Sequence, residues 1–348
     1  MRLAKQEFDM SKYHLALLVA VSGTVLGACG GSPETGSLSD VPGIQVDDLA
    51  GNKTLLYVPP GTQVAPEHAP SAASTAKRTL SVFYPKPGEG GDGLCWTGLT
   101  NDAEGNLYPI ANAGFSKLDS NANIINGEDD TNFFATDNES QWGVIDEPAH
   151  KIFAASLATI RSAKFRANAT FTELAGGLKT QGEGIALGKG QFTGSLFATD
   201  AGASRVYHVT LSPTVVQVFA SGSLFKVPEA IASGPDGTVY VVNVGSISDP
   251  MGRSVIKIAP SGKASVFATA KDTAARRMLA VDNEGTVFWS SATGIDRFKP
   301  DGTRLSPLPG PTDQAGFVNP MGSAFDSQEN LYVIENDGCK KIYKYTEH

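Results

Sequence analysis

Four oxygen-bearing residues, Glu183, Asp200, Glu229 and Asn243, are the first whose types and spacing suggest chemistry. Each acid is followed, within one repeating unit of the chain, by a second oxygen donor. Such a set suits a single hard cation, Ca²⁺, with Zn²⁺ as the other candidate. Arg277 offers a competing use of the same group, because it can pair with Glu229 and hold it for a ligand carbonyl or hydroxyl. The alternative reading is a salt-bridged, water-filled funnel. Glu335 and Asn336 fall in an equivalent stretch of the last unit. Trp96 and Trp142 can stack on a ring-shaped or sugar-like ligand, or pack between structural units.

Histidine chemistry is poorly provided for. His68 precedes the repeats, His348 is the last residue, His150 falls in a turn and His208 within a strand. None stands where a general base for this cluster is needed. No Gly-x-Ser-x-Gly elbow, phosphate loop or clustered Cys/His metal motif occurs. Glu183 and Glu229 are thus the catalytic candidates, and only for a metal-dependent hydrolase.

What positions these residues is a repeat. A phrase of the form small-apolar-x-acidic/polar-x-x-Gly-x-apolar-aromatic occurs six times, closing on Tyr108, Phe153, Phe197, Tyr240, Phe288 and Tyr332, at spacings of 45, 44, 43, 48 and 44 residues. Each phrase reads as two strands around a turn such as Pro235-Asp236-Gly237 or Asn283-Glu284-Gly285. Two further alternating runs follow, as in Val255–Ile258 and Ala264–Phe267. Four strands per period of about 45 residues predict the blade of an all-β propeller. The small residues Gly98, Gly184, Ala230, Ala280 and Gly322 suit innermost strands that converge on an axis.

The sixth unit stops one strand short after Tyr345. The run Thr79–Tyr84 resembles the outer strands of other units and predicts closure of the ring by an N-terminal strand at about residues 78–86. A seventh blade built on Thr54–Val58 is the alternative. The residues before each inner strand should ring one channel mouth, together with those between second and third strands: Thr97, Trp142, Glu183, Glu229, Arg277 and Met321 with Asn112, Asp200, Asn243, Glu335, Asn336 and Asp337.

Residues 1–28 have the parts of an export signal: Lys5 and Lys12, an apolar run from Leu15 to Leu26, and small residues at the end. Met10 is an alternative start. Leu26-Gly27-Ala28-Cys29 resembles a lipobox, which makes Cys29 the acylated residue and membrane lipid the first partner. Gly30-Gly31-Ser32 lacks the Asp of inner-membrane retention, so an outer-membrane anchor, on the periplasmic or cell-surface side, is expected. Residues 29–77, rich in Pro, Ser, Ala, Gly and Thr, read as a tether. The propeller is expected over 78–348, as a monomer. The formal charge is −8, and −9 without the leader, with no basic cluster, which excludes nucleic acid as a partner.

Cys95, before the first inner strand, and Cys339, between strands two and three of the last unit, come to one face at the ring seam. In an oxidising compartment a Cys95–Cys339 disulfide is expected.

The phrases Ala232-Ser233-Gly234-Pro235-Asp236-Gly237-Thr238-Val239-Tyr240 and Ala280-Val281-Asp282-Asn283-Glu284-Gly285-Thr286-Val287-Phe288 resemble the six-bladed NHL-repeat and senescence-marker/gluconolactonase superfamily, from about residue 78 to the end. That resemblance implies a divalent metal at the mouth, held by a Glu, an Asn and an Asp. Glu183 or Glu229 matches the Glu, whereas Arg277 and Met321 stand at the next two blade entrances. The expectation is therefore a membrane-anchored binding or scaffold module for a small ligand, glycan or protein. A metal-dependent lactone hydrolase is the alternative.

Overall fold

The computed structural model describes residues 43–47, 53–57, 77–86, 95–111, 114–126, 135–136, 142–156, 158–176, 178, 184–245, 252–270, 276–312, 316–336 and 341–347, the first two segments as backbone only. The leader, Cys29, most of the tether, Glu183, Asn112, Asp337, Cys339, His68 and His348 lie outside these residues. Among the described residues no helix is long and apolar enough to cross a membrane.

The chain is an all-β, six-bladed propeller. Blades 2 to 5 are four-stranded antiparallel sheets in sequence order from axis to rim, exemplified by blade 4: Pro228–Ser233, Val239–Asn243, Ser254–Ile258 and Ala264–Thr269. Blade 6 takes Pro320–Phe325, Leu331–Glu335 and Lys341–Glu347 from the C-terminus and Arg78–Tyr84 from the N-terminus. The closing strand is antiparallel, with Tyr84 opposite Ile342 and Arg78 opposite Glu347. Each innermost strand touches the next, and that of blade 6 touches that of blade 1, so the ring is complete. The segment around Thr54–Val58 contributes Lys53–Tyr57 to a two-stranded hairpin with Gly43–Asp47, not a seventh blade.

The repeated phrase has a physical basis at three points. First, the turn residue two before the closing apolar-aromatic pair is left-handed in every blade, at Gly105, His150, Gly194, Gly237, Gly285 and Glu329. Glycine enters that region without a Cβ penalty, which explains four of the six. Second, the acid clasps the turn. Asp102 accepts from the Asn106 backbone N–H at 2.8 Å and from the Tyr108 hydroxyl at 2.8 Å. Asp326 repeats the geometry with Asn330 at 2.9 Å and Tyr332 at 3.1 Å. Desolvation, reinforced by the neighbouring carboxylates, pushes both phenols well above their ordinary value. Third, the small residues admit neighbouring backbones: a Cβ on Gly184 would lie 2.1 Å from the Glu229 carbonyl oxygen.

Blade 1 departs from the pattern. Its third strand is split into Gly114–Phe115 and Lys117–Leu118, and its outer edge carries Ala135–Thr136. That short strand pairs in parallel with Ala169–Thr170, which precedes the outer strand of blade 2. The rims of blades 1 and 2 are thus hydrogen-bonded to each other.

The N-terminal strand is held by more than its ladder. Arg78 is buried, its guanidinium lying 5.4 Å from the ring centres of both Phe288 in blade 5 and Phe325 in blade 6. It also pairs with Glu347 and donates to the Glu329 carbonyl.

Candidate functional site

At the loop face, the structure sorts the expected mouth residues into two groups. Asp200, Asn243 and Glu335, at the ends of second strands, are 0–1% exposed and hold backbone. Asp200 accepts from the Ala203 N–H at 3.0 Å. Asn243 accepts from the Lys226 N–H at 3.0 Å and donates to the Leu224 carbonyl at 2.8 Å. Glu335 accepts from the Val318 and Asn319 N–H groups at 2.8 and 2.7 Å. The Asn243 and Glu335 bonds fix the loops that lead into inner strands, and the Asp200 bond caps the turn between the second and third strands of blade 3. Asn336 donates to the Met321 sulfur at 2.9 Å. Trp96 is 1% exposed and packs on Tyr84, ring centres 5.2 Å apart, so its faces belong to the core between blades 6 and 1.

The second group does face the mouth. A register irregularity between Pro228 and Ile231 breaks the inner ladder of blade 4 around Glu229, the kind of bulge that re-aims a side chain. The Glu229 carboxylate meets the Arg277 guanidinium at 3.4 Å. Arg277 stays 41% exposed at its side chain while Glu229 is buried. Its neighbour Arg276 is anchored beneath it, bonded to Asp296 at 2.9 Å and lying 4.6 Å over the Trp289 ring. Trp142, half-buried, packs against the clusters of blades 2 and 3 and of blades 4 and 5, so its indole reaches across the ring. Val227 and Val318, in loops entering blades 4 and 6, are 41% and 49% exposed. Val227 has φ +57°, a left-handed conformation costly for a β-branched residue and held only where the surroundings impose it.

The three described members of the donor set are already engaged. Asp200 accepts from the Ala203 N–H and the Tyr207 hydroxyl, Asn243 spends its oxygen on backbone, and Glu229 faces a guanidinium. Among the described residues no group of three or more His, Cys, Asp or Glu is arranged to hold a metal. Cys95 is half of a disulfide whose other half is not among the described residues.

Sequence reasoning passed over the opposite face. There, where the hairpin turns converge, is a cavity of about 280 Å³ lined by Asp102, Glu147, Lys189, Asp282, Asp326 and Glu329 with Asn101, Asn283, Val281 and Phe325. The signal lay in the phrase itself, whose acid recurs as Asp102, Glu147, Asp282 and Asp326 in four successive blades around the ring seam. Blade 3 instead has a three-residue insertion. The inserted residues form a 3₁₀ turn, Gly190–Phe192, that begins at Lys189. Phe192 fastens this turn, packing edge-on against Phe197 and Phe219 with centres 5.1 and 5.4 Å away.

His208 and Ser195 lie beside that turn, 2.8 Å apart between Nε2 and Oγ. The pair is not a nucleophile and base. Ser195 Oγ donates its one proton to the Phe192 carbonyl at 2.6 Å, so the imidazole must donate to the hydroxyl. Burial among three phenylalanine rings holds the His208 pKa below its ordinary value. The folded protein then binds fewer protons than the unfolded chain, and stability falls as pH drops below about 6.5, by at most about 1.4 kcal/mol per pH unit. Melting curves from pH 7.5 to 5.0 should show this loss, and His208→Phe should flatten it.

No protein-family model matches the chain, and no curated protein matches it. Solved structures do. A gluconolactonase from Xanthomonas campestris aligns at 16% identity over 78% of this chain and 90% of its own, TM-score 0.58. A nutrient-binding auxiliary protein from Bacteroides thetaiotaomicron aligns at 14% identity over 78% and 77%, TM-score 0.57. A streptogramin B lyase aligns at 16% identity over 80% and 100%, TM-score 0.51. At such identities the likeness is one of fold.

Proposed function

We propose that this six-bladed propeller is an exported lipoprotein, anchored through Cys29 in the outer membrane, that binds a small ring-shaped, hydroxylated ligand at its loop-face mouth without turning it over. The observation that carries this reading is the Glu229–Arg277 pair, 3.4 Å apart and open to solvent on the arginine side, standing where a metal-dependent hydrolase needs an oxygen donor for its ion. A guanidinium steadied by a buried carboxylate presents fixed donors to hydroxyl or carbonyl groups. Trp142 offers an aromatic edge, and Val227 and Val318 an apolar rim. The nutrient-binding protein of similar fold lends the reading a precedent in kind. Residues 29–77 act as the tether. A Cys95–Cys339 bond closes a loop of about 240 residues across the ring seam, a constraint of up to about 5 kcal/mol on chain-entropy grounds.

The test is a calorimetric titration of the purified protein with sugars and lactones. Saturable binding with no loss of lactone is the expected result, and Arg277→Met should weaken it at least about tenfold, the loss of one charge-assisted bond, while the melting temperature stays within a few degrees. Chelator-sensitive lactone hydrolysis would replace this reading with the metal-dependent hydrolase.

A further inference from the structure

The turn-face cavity is separate from the mouth, since the inner strands run from one to the other. We propose that it is a carbonyl-trapping site, in which the Lys189 amine forms a reversible imine with a small, neutral aldehyde or ketone.

Three features of the cavity lead there. Lys189 lines it, and its side-chain amine closes no hydrogen bond or direct ion pair among the described residues, although Asp282 and Glu329 act on it electrostatically from blades 5 and 6. Burial lowers its pKa despite those two acids, which favours the neutral amine. The carboxyls of Asp282 and Glu329 are shifted the other way, upward, chiefly by their own burial and secondly, for Glu329, by Asp282. An amine and two acids whose environments push their proton affinities toward one another can exchange protons in a single site. The other three lining carboxylates are engaged, Asp102 and Asp326 in turn clasps and Glu147 by the Ala103 N–H at 2.8 Å; Asp282 also clasps its turn, one oxygen accepting from the Glu284 and Thr286 N–H groups at 3.0 and 2.7 Å, and one oxygen of Glu329 accepts from the Asn283 side-chain amide.

The ligand class follows from charge and size. Five lining carboxyl groups against one amine disfavour an anion such as an α-keto acid. A cavity of about 280 Å³ is at the small end of ligand sites. Val281 and Phe325 supply an apolar wall for a short carbon chain.

The step balances without an oxidant or reductant. The Nζ lone pair attacks the carbonyl carbon, and the π pair moves to oxygen, which takes a proton from the Glu329 or Asp282 carboxyl. The carboxylate so formed recovers a proton from nitrogen and returns it to the hydroxyl, which leaves as water while the nitrogen lone pair forms the C=N bond; the N–H proton left on the iminium then passes back to the carboxylate. One amine and one carbonyl give one imine and one water.

Glycolaldehyde with cyanoborohydride, which reduces the imine to a stable amine, followed by peptide mapping of the full chain, tests this. Lys189 should be modified about tenfold faster than the exposed Lys151 and Lys263, as expected of an activated amine, and pyruvate should label it more slowly than glycolaldehyde. Glu329→Gln and Asp282→Asn should each slow labelling at Lys189 and leave Lys263 unchanged, while Arg277→Met changes neither. Labelling of Lys189 no faster than of Lys263, or untouched by both acid substitutions, would overturn the proposal whatever becomes of the loop-face reading.

Discussion

A chain shortened to begin at Lys86 is expected to lose the folded ring, seen as a melting temperature lower by more than about 10 °C and as aggregation in size-exclusion chromatography. The deleted strand buries Tyr84 and packs Leu80 and Phe83 against two separate core clusters, with Phe83 edge-on to Tyr332 at 5.1 Å. Full burial of such a side chain contributes about 1.5–3 kcal/mol; with Leu80 and Phe83 half-buried the three together are still a sizeable part of the 5–15 kcal/mol by which whole domains are stable. Deletion also bares the backbone edge of Lys341–Glu347 and removes Arg78 from between Phe288 and Phe325, leaving Glu347 without that partner. An exposed edge of this kind is a template for pairing between chains. A shortened chain that stayed monomeric with an unchanged melting temperature would show that closure adds nothing.

The second large effect belongs to Gly184. In Gly184→Ala the new methyl would meet the Glu229 carbonyl oxygen at 2.1 Å and Ile231 Cγ2 at 3.0 Å. The carbonyl is backbone and is tied to the Thr199 hydroxyl at 2.9 Å, which also accepts from the Gly184 N–H at 2.8 Å. The inner strands of blades 3 and 4 must therefore separate. Overpacking in rigid surroundings costs about 3 kcal/mol, or roughly 5 °C of melting temperature in a domain of this size. Because Glu229 would move, Arg277 should lose its partner, so ligand binding at the mouth should fall with stability. A melting temperature within 2 °C of the parent, read by calorimetry, would show that the two strands have room to part.

Blade number, ring closure and the convergence of small inner residues are legible in the sequence because each has a local chemical signature. Asp102, Asn106 and Tyr108 recur at the same offsets as Asp326, Asn330 and Tyr332, and a repeated clasp implies a repeated hairpin. The destination of a polar side chain is not local. Asn243 and Glu335 read as ligands because they stand on the loop face, yet they serve N–H groups up to 17 residues away in the chain. Pattern cannot show that backbone donors already fill a carboxylate. Trp96 misleads in the same way, since Tyr84 reaches it only through closure. Lys189 went unnoticed because its unit is three residues longer than the phrase, and an irregular spacing hides the side chain that the insertion carries to the axis.

The parallel pairing of Ala169–Thr170 with Ala135–Thr136 has a consequence for cooperativity. In an array of repeats each unit is stabilised by its own interior and by the interfaces with its neighbours. Here a strand from one unit is lent to the rim of the preceding one, so blades 1 and 2 cannot open singly without breaking that ladder. They form a double-sized unit of local unfolding within the ring, and their amide hydrogens should exchange at one common rate while blades 3, 4 and 5 keep rates of their own.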